Sequence, residues 1–127
     1  MKRDMDLIRN LLMRIEEFPS KIDDNYDYTM NFKGYKNQEI NFHLNLLKDA
    51  VYIDGIIQKS IINKHISINY ETLELSWKGY EFLDLARDNT IWKKAKKTIA
   101  DKIQTGSFEV LMAVLVQMAK DMIFTKP

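Results

Sequence analysis

"LELSWKGYEFLDLAR" (residues 73–87) is where one periodicity gives way to another. Leu73, Leu75 and Trp77 alternate with polar residues, as on a strand with one face against a core. Beyond Lys78-Gly79, the residues Phe82, Leu83, Leu85 and Ala86 take up helical spacing. The stretch reads as a hairpin strand running into a helix, a packing signature without chemistry of its own. Trp77 is expected to close the strand and lie in the core. Gly79 should permit a tight passage into the helix, and Phe82 and Leu83 should lock that helix in place.

Upstream, "VYIDGIIQ" (51–58) and "ISINY" through "TLELSW" (66–77) are rich in β-branched and aromatic residues and read as the two strands of a hairpin with "KSIINKH" at its tip. The alternation changes phase between Tyr70 and Leu73, which predicts a bulge or bend at Glu71-Thr72. Before the hairpin, Ile40, His43, Leu44 and Leu47 mark a helix over 36–49. Tyr28, Met30 and Phe32 alternate as in a short strand that Gly34 closes. Residues 4–18 carry Met5, Ile8, Leu11, Leu12 and Ile15 on one helical face, with Asp4 as N-cap and Pro19 after the end. After the opening stretch, Trp92, Ala95, Ile99 and Ile103 share a face of a helix that ends before Thr105-Gly106. Ser107 is placed to cap a last helix, apolar almost all round, whose Glu109, Gln117, Lys120 and Asp121 keep it from reading as a membrane span.

The fold class these elements predict is α+β. Helix, short strand, helix, hairpin and helix form the skeleton of a winged helix, with two extra C-terminal helices. One piece is thin: residues 19–34 offer a poor pattern for the additional helix that a standard winged helix places before its recognition helix. The domains expected are a winged-helix-like core over 1–90 and a helical extension over 91–127, packed on that core or on a partner chain. A chain of 127 residues is enough for a core without staples. With no cysteine, disulfides and thiolate metal sites are excluded. No apolar signal region follows Met1-Lys2-Arg3-Asp4, so a cytoplasmic location is expected.

Three stretches, "MKRDMDLIRNLL" (1–12), "QEINFHLNLLKDA" (38–50) and "LSWKGYEFLDLARDNTIWKKAK" (75–96), together resemble a family of uncharacterised small proteins found mostly in phages and prophages of Gram-positive bacteria. Members of that family open on a near-identical Met-Lys-Arg-Asp-Met-Asp string and carry a Leu-Thr-Trp-x-Gly-His-Glu-Phe-Leu-Asp motif. The resemblance covers about residues 1–97 and implies a winged-helix-like fold with no established activity. Tyr80 stands where histidine is common. Ala50-Val51-Tyr52 replaces the usual Ala-Gly-Leu, and loss of that glycine predicts a less sharply turned junction after the second helix.

Catalytic signatures are missing: there is no cysteine nucleophile, and four scattered glycines make no phosphate loop. Asp23-x-Asn25-x-Asp27 begins like a calcium loop but has Tyr28 where glycine is needed and Gly34 in place of the bidentate glutamate. His43, on the inward stripe of its helix, reads as a satisfied imidazole. Neither an enzyme nor a cofactor or metal site is expected.

The net charge is +1, so any electrostatic footprint must be local. Residues 4–31 carry seven acids and three bases, whereas 91–105 carry five lysines and one aspartate. For double-stranded DNA, the candidate residues are Asn37, Gln38, Asn41, Asn45 and Lys48 on the outward face of the second helix. Lys59 and Lys64 at the hairpin tip and Lys33 and Lys36 before the helix would supply phosphate contacts, and Lys93, Lys94 and Lys97, opposite the apolar face of their own helix, are free to meet phosphates or an acidic protein. Two functions fit this pattern: a winged-helix DNA-binding regulator, or an interaction module for a host or mobile-element protein with no DNA binding. In the last helix Phe108, Leu111, Val114, Leu115, Met118 and Met122 fill one face and Val110, Met112, Val116 and Ile123 spread apolar surface round the rest, which predicts a homodimer interface.

Overall fold

Asp4 organises the start of the chain. Its carboxylate Oδ1 accepts from the Leu7 N–H at 3.0 Å, capping helix α1 (Met5–Glu16). Oδ2 accepts from the Tyr35 hydroxyl at 2.7 Å, and the Asp4 N–H donates to Nε2 of His43 at 2.8 Å. His43 lies on α2 (Asn37–Asp49), buried, with Nδ1 2.7 Å from the Glu39 carbonyl, so the neutral Nδ1–H tautomer satisfies both partners. Leu7, Ile8, Leu11, Leu12 and Ile15 of α1 meet Ile40, Leu44 and Leu47 of α2 in the core of this part of the chain. Each such side chain contributes about 1.5–3 kcal/mol by its burial.

The computed structural model describes residues 1–102 and 108–124. Beyond α2 the elements are β1 (Ile53–Lys59), β2 (Ile66–Leu75), α3 (Trp77–Ala86), α4 (Asn89–Lys102) and α5 (Phe108–Phe124). The fold is therefore α+β, with five helices and one two-stranded antiparallel sheet among the described residues. It divides into two compact units, Met1–Tyr80 and Glu81–Pro127, with the division inside α3.

In the first unit, Ile53 pairs with Leu75 and Asp54 with Glu74; after a bulge, Ile56 pairs with Asn69 and Lys59 with Ile66. Gly55 alone thus stands opposite residues 70–73, where the change of alternation predicts an irregularity. Gly55 has φ +141°, and a Cβ there would lie 2.8 Å from Leu73 Cδ2. The Thr72 hydroxyl bridges the gap, accepting from the Ile56 N–H at 2.8 Å and donating to the Asn69 carbonyl at 2.7 Å.

Three expectations are corrected. Residues 28–32 form no strand: at the start of the stretch, Arg14 takes the carbonyls of Asp27 and Thr29 that a neighbouring ladder would use. The Arg14 guanidinium donates to the carbonyls of Asp27 at 2.5 Å and Thr29 at 3.3 Å and to the Tyr26 hydroxyl at 2.8 Å. It also sits over the Phe18 ring, which packs edge-on with Tyr26 and Tyr28. Second, Trp77 neither belongs to the strand nor enters the core: it opens α3 and is 82% exposed. Ser76 ends the strand, its hydroxyl accepting from the Gly79 N–H at 3.1 Å and donating to the Val51 carbonyl at 2.5 Å.

Third, the junction after α2 is a sharp stop despite having no glycine. Val51 adopts φ +66°; its N–H donates to the Lys48 carbonyl and the Tyr52 N–H to the Leu47 carbonyl, both at 2.9 Å. This is the double closure of a Schellman motif, with buried Tyr52 and Leu47 as its apolar pair. A β-branched residue in the left-handed region is strained by about 1–2 kcal/mol, and Val51 is largely exposed, so little packing offsets that strain. Val51→Gly should raise stability by about 0.5–1 kcal/mol once the greater freedom of glycine in the unfolded chain is subtracted. The check is the urea midpoint: a midpoint that falls would mean that residue 51 does not hold this conformation.

In the second unit, Phe82 packs edge-on against Trp92 at 6.0 Å and stacks on Phe108 at 5.0 Å. The Asp88 carboxylate caps α4 by accepting from the Ile91 N–H at 3.0 Å, and α4 and α5 pack together. Trp92 and Ala95 are buried and Ile99 half-buried, as their spacing predicts. Ile103, Thr105-Gly106 and the Ser107 cap lie outside the described residues.

Candidate functional site

The outward side of α2 is not uniformly free. Tyr70 on β2 donates its hydroxyl to Asn41 Oδ1, and Lys48 Nζ donates to the Gly55 carbonyl at 2.5 Å. Burial pushes the Tyr70 pKa up, so Tyr70 stays a neutral donor. Both α2 residues therefore fasten the hairpin bulge to the helix. Asn37 and Gln38, at the first turn, are exposed, and Asn45 is half-buried. Glu39 turns back to accept from the Lys36 N–H at 3.2 Å, while Asp49 is exposed at the far end.

Beyond the bulge the hairpin carries no buried side chain between Asp54 and Thr72. No acid occurs from Gly55 to Tyr70, and Lys59, Lys64 and His65 are all exposed. The tip holds a feature that the spacing arguments missed: Ile61 and Ile62 are 98% and 97% exposed. Two adjacent isoleucines inside an acid-free, lysine-bearing loop were the available signal. Lys33 and Lys36 are exposed before α2. In the second unit Lys93, Lys94 and Lys97 are exposed on α4.

The stretch from residue 23 to 29 is a run of self-capped turns. Asp23 Oδ1 accepts from the Asn25 N–H at 2.9 Å, and Asp27 Oδ1 accepts from the Thr29 N–H at 2.9 Å and from its hydroxyl. The Thr29 bonds hold the Asp27 carboxyl below its ordinary pKa. Elsewhere, the hydrogen bond to Asp4 pushes the Tyr35 hydroxyl up to about 12. Among the described residues no group of three His, Asp or Glu side chains is placed to hold a metal ion.

The face of α5 on which a dimer is expected is partly taken up by its own chain. Phe108, Leu111 and Leu115 are buried, Val114 and Met118 half-buried, and Met122 exposed. Val116 and Ile123 add exposed apolar surface, and Met122 and Ile123 line a shallow groove with Leu85 and Ile91. No helix among the described residues is long and apolar enough to cross a membrane.

Fold and surface together define a small α+β protein built round a helix fastened to a two-stranded arm. The chain belongs to the family described as "Hypothetical protein (DUF2513)", which matches residues 2–106. It is 30% identical over 118 residues to an uncharacterized protein of Haemophilus influenzae, covering 90% of this chain and 92% of that one. No solved structure matches it.

Proposed function

We propose that this is a small winged-helix protein that binds duplex DNA as a regulator, with the start of α2 in the major groove and the hairpin as its wing. The observation that carries the reading is the joint of α2 and hairpin. Asn41 and Lys48 lock the arm to the helix, leaving the exposed amides of Asn37 and Gln38 at the helix start, where recognition helices address base edges. Amide side chains pair with adenine N6 and N7. The wing carries Lys59 and Lys64 without an opposing acid. Asn45 is the third base-facing candidate, and Lys93, Lys94 and Lys97 are further phosphate contacts. Residues 17–36 form no helix, so the loop pinned by Arg14 stands where a winged helix ordinarily has another helix. The resemblance to phage and prophage proteins supports a regulator of a mobile element. A homodimer belongs to the same reading, supported by the exposed Val116, Met122 and Ile123.

A second reading, a docking module for a host or mobile-element protein, draws on Trp77. Exposed tryptophans at rigid positions anchor protein interfaces, and Val51 and Tyr80 of the first unit are exposed as well as Trp77.

A salt titration separates the two. The protein should bind a mixed-sequence duplex in dilute buffer, with log affinity falling against log salt by about 0.9 per phosphate contact. Absence of binding at the lowest salt would reject the DNA reading and leave the docking module.

A further inference from the structure

We propose that the hairpin tip is an apolar wedge, in which Ile61 and Ile62 press between base pairs from the minor groove and kink the duplex. The proposal rests on the DNA-binding reading above and adds to it a contact made by carbon instead of charge.

The two side chains are almost wholly exposed, yet the loop that carries them is fixed. The Ser60 N–H donates to the His65 carbonyl at 2.8 Å, and the Lys64 N–H to the Ser60 carbonyl at 2.9 Å. Ser60 Oγ accepts from the Ile62 and Asn63 N–H groups at 3.3 and 3.4 Å, and Asn63 Oδ1 accepts from the His65 N–H at 2.9 Å. Lys64 closes the turn at φ +62°. A loop held in this way presents its apolar pair on a backbone that is already ordered, which lowers the cost of binding. The arm is also long enough. From Ile56 to Lys59 the strand rises about 3.3 Å per residue, which carries the base of the tip roughly 10 Å past the bulge.

Charge narrows the partner. Lys59, Lys64 and His65 flank the isoleucines and no acid lies between Gly55 and Tyr70, so the surface that receives this tip is anionic. Proteins that enter the minor groove place isoleucine and similar wedges between base steps and bend the helix. An anionic bilayer offers the same pairing of charge and carbon, but two isoleucine side chains carry fewer apolar carbons than one myristoyl chain, which alone holds a protein to a bilayer only marginally. A base step needs no more than such a pair.

The test uses the full chain and a duplex carrying a dye at each end, reading anisotropy for binding and energy transfer for bending. The native protein should bind and draw the ends together. The variant carrying Ile61→Ala and Ile62→Ala should bind about tenfold more weakly, leave the duplex straight and keep the same salt slope, since it loses apolar contact and no charge. Because both side chains are exposed, its thermal melt should match that of the native protein. Native protein that binds and leaves the duplex straight, or a double variant that bends it as the native does, overturns the wedge while the DNA reading stands. Failure of the native protein to bind duplex in dilute buffer removes both. A parallel arm with vesicles of phosphatidylserine and phosphatidylcholine overturns the wedge in favour of a lipid surface if binding there depends on the two isoleucines while no duplex is bent.

Discussion

Phe82→Ala should destabilise the second unit by about 3–5 kcal/mol, the range for truncation of a fully buried aromatic. Phe82 has no exposed surface, and its ring touches an aromatic on each of two other helices: Trp92 on α4 and Phe108 on α5. Truncation removes the stacked and the edge-on contact together, and leaves a cavity that rigid helices cannot fill by small shifts. The readout is built in. Trp92 is buried whereas Trp77 is open to solvent, so iodide should quench one tryptophan in the native protein and both in the variant. A variant whose urea midpoint is unchanged and whose Trp92 stays protected would show that Phe82 is not the centre of this unit.

The parts of the fold that could be read in advance are those whose cause is local. Asp4 lies just ahead of an apolar stripe and caps α1 as that position implies. The phase change near Glu71-Thr72 marks the bulge. What escaped was decided by partners distant in the chain. Tyr28, Met30 and Phe32 alternate like a strand, but Arg14, more than a dozen positions earlier, claims the carbonyls around them. Alternation through Leu73 and Leu75 stops short of Trp77, because Ser76 uses its hydroxyl to begin a helix instead of passing the strand on. Val51 takes a left-handed position usually given to glycine, since closure on Lys48 and Leu47 outweighs the local strain.

The same distinction runs through the candidate site. Polar residues on the side of α2 away from its apolar stripe look alike in sequence, and nothing local tells Asn41 from Asn37. Tyr70, far along the chain, makes the difference by holding Asn41. On α5 the apolar residues surround the helix, so periodicity alone cannot choose the inward side. Phe108, Leu111 and Leu115 turn inward, leaving Met122 and Ile123 outside. The isoleucines at the hairpin tip follow neither a helical nor a strand pattern, and pattern reading passes over them for that reason.

Gly79→Ala should cost about 2 kcal/mol or more, against the usual sign for this change in a helix. Inside an exposed helix, alanine is better than glycine by about 1 kcal/mol. At position 79 a Cβ would run into the Tyr52 carbonyl oxygen, closer than real Cβ atoms come to any neighbour, and would also lie 3.4 Å from Leu75 Cδ2. The carbonyl cannot swing aside. It accepts from the Ser76 N–H at 3.1 Å, the Tyr52 N–H is bound to Leu47, and the preceding Val51 carbonyl accepts from the Ser76 hydroxyl. Lys78 adds a further tie, reaching the Ala50 carbonyl at 3.2 Å and lying over the Tyr52 ring. Making room for one methyl group therefore means pulling the start of α3 off the α2–β1 junction, and overpacking against fixed backbone costs about 1–3 kcal/mol or more. That loss must exceed the gain in helix propensity for the net effect to be unfavourable. A fall in the urea midpoint of the variant would agree with this account. A rise of the size expected from propensity alone would show that α3 slides along the junction freely, and that the glycine is not what holds helix and hairpin together.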